Sequence, residues 1–254
     1  MLRLLIAAAG LILAAAPLRA AEVKVAVAAN FTAPAKEIAK AFAEVTGHQA
    51  VLSFGSTGKL YAQIVHGAPF QVFLAADAAR PERAEAEGLA VPGSRFTYAT
   101  GRLALFSPDE SLVDDGGQIL GTDRYRRLAI ANPQTAPYGK AALEVLSALG
   151  VADKAVPRLV RGDNIAQTFQ FVASGNAELG LVSLSQLTGR QGGSRWVVPA
   201  ELHEPIVQQA VLLMAGETNA AAKAFLAFLA KEPAAAIIES FGYGFGRGRG
   251  RGGD

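Results

Sequence analysis

The chain has 254 residues, of which 51% are hydrophobic, and it carries 24 Lys and Arg residues against 22 Asp and Glu residues. Cysteine is absent, which excludes disulfides and thiolate metal sites, and none of the three histidines has a partner at metal-ligand spacing. Arg3 and Arg19 account for the formal charge of +2, so the rest of the chain is neutral and gives no electrostatic case for nucleic-acid binding.

The two ends of the chain differ from the segment between them. Residues 1–20 have the layout of a secretory signal peptide, with a basic start, an apolar run at 4–16 and small residues before a cleavage point after Ala20. The apolar run is short for a membrane span, so cleavage is favoured over an uncleaved anchor. Residues 246–254 alternate Gly and Arg, cannot bury apolar surface, and are expected to form a disordered tail.

The first part of the exported chain alternates strand and helix patterns. Short apolar runs predict strands at 23–29, 49–54 and 69–77. Helical spacing predicts a helix at 32–45, with Ile38, Phe42 and Val45 on one face, another after residue 58, and a third at 79–89. This alternation predicts an α/β fold with a largely parallel sheet.

The second part continues the pattern and suggests two lobes. Further strands are predicted at 101–107, 128–133, 179–183 and 205–215, and further helices at 136–150, 165–175, 219–231 and 233–243. Extended segments at 96–106 and 205–214 predict that the chain crosses twice between two α/β lobes. Lobe I then comprises 21–100 and 209–245, and lobe II comprises 101–208. Two such crossings form a hinge with a cleft that a ligand can close.

The stretch "SFGSTGKLYAQI" at 53–64 resembles a phosphate-binding loop, but it fails the test for one. A P-loop requires Gly, four residues, Gly, Lys and then a hydroxyl residue. Counting back from Gly58, Ser53 stands where the first Gly belongs, and Leu60 stands where the hydroxyl belongs. What remains is a Gly-Ser-Thr-Gly turn at a predicted helix start, which is either an ordinary N-cap or a site whose free N–H groups favour an anion.

Four predicted turns between strand and helix could contribute to one such site, because ligands of open α/β sheets lie outside the carboxyl ends of strands. The turns contain Ala29-Asn30, Ser56-Thr57, Tyr138 and Ile165. Each alone is compatible with ordinary helix capping. Together, with no carboxylate that must face the ligand, they predict a cleft in which neutral dipoles hold an anion.

Five stretches of the chain resemble the periplasmic molybdate-binding proteins of ABC transporters. They read "VAVAANF", "SFGSTGKLYAQIVHGAPFQVFLAAD", "GLAVPGSRFTYATGRLALFS", "IANPQTAPYGKAALEVL" and "EPIVQQAV". The resemblance runs from about residue 22 to 244, and its most specific parts are "GAPFQVFLAAD" and "NPQTAPYG". It implies a type II periplasmic binding protein: two α/β lobes, two crossings and an oxyanion in the cleft.

The resemblance also implies the function and the partners. The expected ligand is molybdate or tungstate, with no cofactor and no enzymatic activity, and the expected partner is an ABC permease in the inner membrane. A monomer free in the periplasm is expected, since no cysteine is present to carry a lipid.

Carried over position by position, the resemblance implies five ligand-binding residues. They are Ala29, Asn30, Thr57, Tyr138 and Ile165, the last two through their backbone N–H groups. Two positions depart from relatives in the family. Ala29 has no hydroxyl and can donate only its N–H, and Ser183 stands where another branch has a tyrosine and is expected to be too short to reach the ligand.

Alternative ligands and activities stay open. A site made of donors suits a fully deprotonated tetrahedral dianion such as molybdate, whereas phosphate, being partly protonated, would want an acceptor as well. Sulfate is also a dianion and differs from molybdate mainly in being smaller. A site for iron(III) would need a cluster of tyrosines or histidines. An exported hydrolase using Ser56 or Thr57 would need a base beside the hydroxyl.

Three charged residues near the predicted turns have ordinary roles in this interpretation. Lys59 is expected to face solvent rather than clamp the ligand. Asp163 is expected to point away from the anion and cap the helix that follows, and Asp77 is also expected to act as a cap.

Overall fold

The structure, a computed structural model, describes residues 20–245. The predicted signal peptide, apart from Ala20, and the predicted tail at 246–254 lie outside the described residues. The strands are β1 (Glu22–Ala28), β2 (Gln49–Gly55), β3 (Val72–Leu74), β4 (Phe96–Gly101), β5 (Leu103–Ser107), β6 (Leu128–Ala131), β7 (Leu159–Gly162), β8 (Leu179–Ser183), β9 (Ser194–Val197) and β10 (Ile206–Leu212). The helices are α1 (Thr32–Thr46), α2 (Thr57–Val65), α3 (Ala79–Ala86), α4 (Pro137–Ala148), α5 (Ala152–Ala155), α6 (Ile165–Ala173), α7 (Ala220–Leu229) and α8 (Ala234–Ser240).

The strands form two five-stranded sheets. The first has the order β2-β1-β3-β10-β4, and the second has the order β7-β6-β8-β5-β9. In the first, β1 is parallel to β2 and β3, while β10 is antiparallel to β3 and β4. In the second, β6 is parallel to β7 and β8, while β5 is antiparallel to β8 and β9.

Among the described strands, four of the five in each sheet run in one direction, and β10 in the first sheet and β5 in the second run against them. The expectation of a largely parallel sheet is confirmed. The two reversed strands, β5 and β10, are those that the chain enters directly after it crosses from the other sheet.

The two crossings lie side by side. Only Arg102 separates the end of β4 from the start of β5, so the first crossing is almost continuous strand. Ile206, at the start of β10, pairs with Gly101, at the end of β4. The predicted lobe boundaries after residues 100 and 208 fall inside β4 and β10, and the division into lobes stays a prediction.

Helices cover both faces of each sheet, and the cores lie between these layers. In the first sheet, α1, α7 and α8 pack on one face, where the Phe42 and Phe225 rings meet edge to face at 5.2 Å. Helices α2 and α3 cover the other face through Tyr61, Ile64 and Ala84. In the second sheet, α4 and α5 pack on one face and α6 on the other.

Helix α1 shows how far the hydrophobic pattern predicts packing. Ile38 and Phe42 are fully buried, as their spacing predicts, and Gly47 ends the helix with a φ of 72°. Val45 shares their helical face but is 68% exposed. Periodicity gives the face of a helix, but it does not give the length over which another element covers that face.

Within the described part of the chain, no helix combines the length and the apolar character needed to cross a membrane.

Candidate functional site

A small cavity lies where the turns between strand and helix from the two sheets meet. It is lined by Ala28, Ala29, Asn30, Gly55, Ser56, Thr57, Ala76, Ala136, Pro137, Tyr138, Asn164 and Ile165. All five residues predicted to bind the ligand are in this set. Each of the four contributing turns follows the carboxyl end of a parallel strand, which is where ligands of open α/β sheets bind.

Three α-helices begin at the cavity, and two of them begin for a clear local reason. Ser56 holds the N-cap position of α2 in an extended conformation, but its side chain makes no cap hydrogen bond. Pro137 occupies the first turn of α4, where its fixed φ suits a helix and its missing N–H is not needed. Asn164 caps α6 by accepting a hydrogen bond from Gln167 N–H at 3.0 Å.

These helix starts supply N–H groups that the helices themselves do not use. The N–H groups of Thr57, Tyr138 and Ile165 have no acceptor among residues 20–245. Asn30 adds the first turn of a short 3-10 helix at 29–31, which leads into α1. Together with the helix dipoles, these groups make the cavity favourable for negative charge.

The size and the lining of the cavity restrict what can bind. Its volume is about 10 Å³, on a scale where one water molecule needs roughly 10–15 Å³. A ligand as large as a nucleotide is therefore excluded from it. Asp, Glu, Lys, Arg and His are absent from the described residues that line it, so the charge of an anion would be met by dipoles alone.

The two hydroxyls of the Gly-Ser-Thr-Gly turn have different surroundings. The Thr57 hydroxyl accepts a hydrogen bond from Ala76 N–H at 3.1 Å, which leaves its own proton free to donate. The Ser56 hydroxyl is buried and has no hydrogen-bond partner among the described residues. The sequence placed Ser56 in the turn, but resemblance selected only the second hydroxyl, so Ser56 was missed as a candidate ligand residue.

Asn30 lines the cavity, but its side chain is hydrogen-bonded within the protein. Its carboxamide N–H groups donate to Gln208 Oε1 at 2.9 Å and to the Tyr243 hydroxyl at 3.0 Å. The backbone carbonyl oxygen of Asn30 accepts hydrogen bonds from the Tyr243 hydroxyl at 2.8 Å and from the Ser185 hydroxyl at 2.9 Å. Because both carboxamide N–H groups are bonded within the protein, the backbone N–H is the donor that Asn30 has available for a ligand.

These contacts belong to a buried polar network behind the cavity, which also includes Tyr138. Gln208 Nε2 donates to the Tyr138 hydroxyl at 3.3 Å, and the Ser183 hydroxyl lies 3.0 Å from the same oxygen. Burial raises the pKa of Tyr138 well above its ordinary value, so the phenol stays neutral at physiological pH. Ser183 is not among the residues lining the cavity, as its short side chain predicts.

Gly101 gives this network the space it needs. A Cβ atom at Gly101 would lie 2.3 Å from the Tyr138 hydroxyl and 2.7 Å from Gln208 Nε2. The crossing strand therefore approaches α4 more closely than any side chain would permit.

Direct contacts also join the two sheets across the mouth of the cavity. Gly58 N–H donates to Thr135 O at 2.8 Å. Lys59 Nζ lies 2.8 Å from Asp163 Oδ2, in a pair that is largely exposed. The expectation that Asp163 caps α6 was wrong, because Asn164 is the cap and the Asp163 carboxylate is paired with Lys59. The expected capping role of Asp77 is confirmed, since Asp77 Oδ1 accepts from Arg80 N–H at 3.0 Å.

Comparison with known proteins decides the family. The family model of bacterial extracellular solute-binding proteins matches residues 23–244. The chain belongs to this family.

Several relatives of this solute-binding protein are named for binding molybdate. The molybdate-binding protein ModA of Rhodobacter capsulatus is 54% identical over 229 residues, which are 90% of each chain. ModA of Azotobacter vinelandii is 52% identical over 242 residues, which are 94% of this chain and 96% of the relative. The solved structure of the Azotobacter vinelandii periplasmic molybdate-binding protein matches with a TM-score of 0.86 at 44% identity, over 89% of this chain and 100% of that one. The resemblance read from the sequence and the two-lobed fold that it implied are both confirmed.

Hydrolysis at this site would need a base beside one of the hydroxyls, and the described residues lining the cavity provide none. A nucleophilic hydroxyl needs an adjacent base. The described residues lining the cavity include no histidine, carboxylate or lysine, and the partner of the Thr57 hydroxyl is a backbone N–H. The arrangement favours holding an anion over reacting with one.

Proposed function

We propose that this protein captures molybdate or tungstate in the cavity between its two sheets and delivers it to an ABC permease. The observation that carries the proposal is the convergence of four helix starts, from both sheets, on one small cavity without charged side chains. Relatives more than 50% identical, which are named for binding molybdate, support the choice of ligand.

The donor set suits this class of ligand. Backbone N–H groups donate and cannot accept, and the hydroxyl of Thr57 already accepts from Ala76, so the proton of that hydroxyl is available to a ligand oxygen. A fully deprotonated tetrahedral dianion can accept from every one of these groups. A protonated phosphate oxygen would need an acceptor, which the N–H groups do not offer.

Ala29, Asn30, Thr57, Tyr138 and Ile165 are the ligand-binding residues of this proposal. Ala29, Asn30, Tyr138 and Ile165 donate through their backbone N–H groups, and Thr57 donates through its N–H and its hydroxyl. Lobe I, with residues 21–100 and 209–245, and lobe II, with residues 101–208, close on the ligand about the paired crossings.

The rest of the proposal concerns where and how the protein works. It is exported to the periplasm by a cleavable signal peptide and acts there as a monomer. It needs no cofactor, performs no catalysis and meets its permease in the inner membrane. The periplasmic relative of known structure supports the location.

The test is isothermal titration of the protein lacking residues 1–20 with molybdate, tungstate, sulfate and phosphate in parallel at neutral pH. One-to-one binding of molybdate and tungstate, with phosphate silent, is the expected result. Binding of sulfate alone would keep the fold and change the cargo. Silence from all four would contradict the proposal.

A further inference from the structure

Ser56 lines the cavity with a buried side chain whose hydroxyl makes no hydrogen bond to the described protein. It is only 3% exposed, and its hydroxyl oxygen has no hydrogen-bond partner among the described residues. Burying a hydroxyl without a partner costs free energy, and native structures rarely retain one without a reason.

Capping of α2 does not provide that reason. Ser56 holds the N-cap position, where a serine normally accepts a hydrogen bond from an N–H of the first turn. Here no cap bond to the side chain forms, and Gly58 N–H donates instead to Thr135 O, across the mouth of the cavity. The hydroxyl is thus left free at a helix start whose N–H groups already face the cavity.

The position of Ser56 separates it from the other unpartnered groups of the described chain. Those are Glu85 Oε1, Thr100 Oγ1, Thr135 Oγ1 and Arg190 Nε, and none of these residues lines the cavity. A hydroxyl keeps one O–H donor, which is what an oxyanion needs.

We propose that the Ser56 hydroxyl binds the oxyanion directly, as a donor additional to those that the family resemblance implies. This inference rests on the proposed function. The Gly-Ser-Thr-Gly turn then gives two hydroxyl donors, Ser56 and Thr57, together with its N–H groups. Ser56 compensates for the hydroxyl that Ala29 lacks on the neighbouring turn.

The test compares Ser56→Ala with Thr100→Val, a matched control that also removes a buried, unpartnered hydroxyl but lies on β4, outside the cavity. We expect Ser56→Ala to weaken molybdate binding by about 10- to 100-fold, the range for a hydrogen bond to a charged group. The unfolding temperature of the ligand-free variant should not fall, because no hydrogen bond within the protein is lost. Thr100→Val should bind like the wild type.

Titration of the wild-type protein in parallel distinguishes failure of this inference from failure of the proposed function. If the wild type binds molybdate and Ser56→Ala binds it equally well, this inference is wrong and the proposed function stands. If Ser56→Ala loses affinity only in proportion to a lowered unfolding temperature, the hydroxyl has a structural role and the inference is also wrong. A wild type that does not bind molybdate overturns the proposed function, and this inference with it.

Discussion

Asn30 and Thr57 both lie at the cavity, but their side chains have different partners. The Asn30 carboxamide is held by Gln208 and Tyr243, whereas the Thr57 hydroxyl has one backbone partner and a free proton. Both carboxamide N–H groups of Asn30 are therefore used within the protein, whereas the hydroxyl proton of Thr57 is available to a ligand.

Substitution of Thr57 tests how much its hydroxyl contributes to the stability of the protein and to ligand binding. Thr57→Val removes the acceptor for Ala76 N–H and the donor for the ligand, while keeping the shape of the side chain. We expect the ligand-free protein to lose about 1–3 kcal/mol of unfolding free energy and the ligand to lose about 1.5–3 kcal/mol of binding free energy. Urea unfolding and calorimetric titration measure the two.

Thr57→Ser is the matched control, because it keeps the hydroxyl and loses only a methyl group. It should bind molybdate within a few-fold of the wild type. Equal affinities for Thr57→Val and Thr57→Ser would show that the hydroxyl does not reach the ligand.

At the scale of elements, the buried network ties together segments that the sequence gives no reason to associate. Asn30 lies 178 residues from Gln208 and 213 residues from Tyr243. Through Gln208, the turn after β1 is joined to the crossing strand β10 and to the first turn of α4. The network thus fixes two helix starts that belong to different sheets.

Gln208→Leu tests the role of this network. The substitution leaves a buried N–H of Asn30 without an acceptor, so we expect it to destabilise the ligand-free protein by about 1–3 kcal/mol and to weaken molybdate binding as well. Urea unfolding and titration provide the measurements.

The neighbouring Gln209→Leu on the same strand is the control. Gln209 bonds to Arg95 and Thr97 in a partly exposed setting, where water can replace the lost partners. Its effect should stay below about 1 kcal/mol. Similar losses in both variants would mean that the network has no special importance.

Much of the fold was readable from the sequence, and the reasons differ between elements. Strand β8 was predicted at 179–183 and is observed there. A short apolar run bounded by turn residues is long enough for a buried strand and too short for a typical helix. Local chemistry also predicted the four helix starts. Partners remote in sequence could not be predicted. This is why the contacts of Asn30 with Gln208 and Tyr243 were not foreseen, and why Asp163 was assigned to a cap.

At the scale of the whole molecule, segments that follow strands of different sheets are in direct contact beside the cavity. Gly58 and Thr135 approach through their backbones, and a Cβ atom at Gly58 would lie 3.1 Å from both Cα and O of Thr135. That is tighter than ordinary contact, so the facing lobe would have to retreat by a few tenths of an ångström.

Gly58→Ala should therefore change stability and binding in opposite directions. Alanine is favoured over glycine within a helix by about 0.5–1 kcal/mol, so the ligand-free protein should be as stable as the wild type or more stable. Obstructed closure should weaken molybdate binding by about 1–3 kcal/mol, the usual cost of overpacking. Thermal unfolding and titration would check both signs, and unchanged affinity would show that closure does not depend on this contact.

The central claim is that one oxyanion sits where the four helix starts converge. Anomalous diffraction at a molybdenum absorption edge, from crystals grown with molybdate, tests this most directly. The account predicts a single strong anomalous peak in the cavity, with ligand oxygens within hydrogen-bonding distance of the N–H groups of Thr57, Tyr138 and Ile165. A peak elsewhere on the protein, or a cavity without one in crystals of protein that binds molybdate in solution, would contradict it.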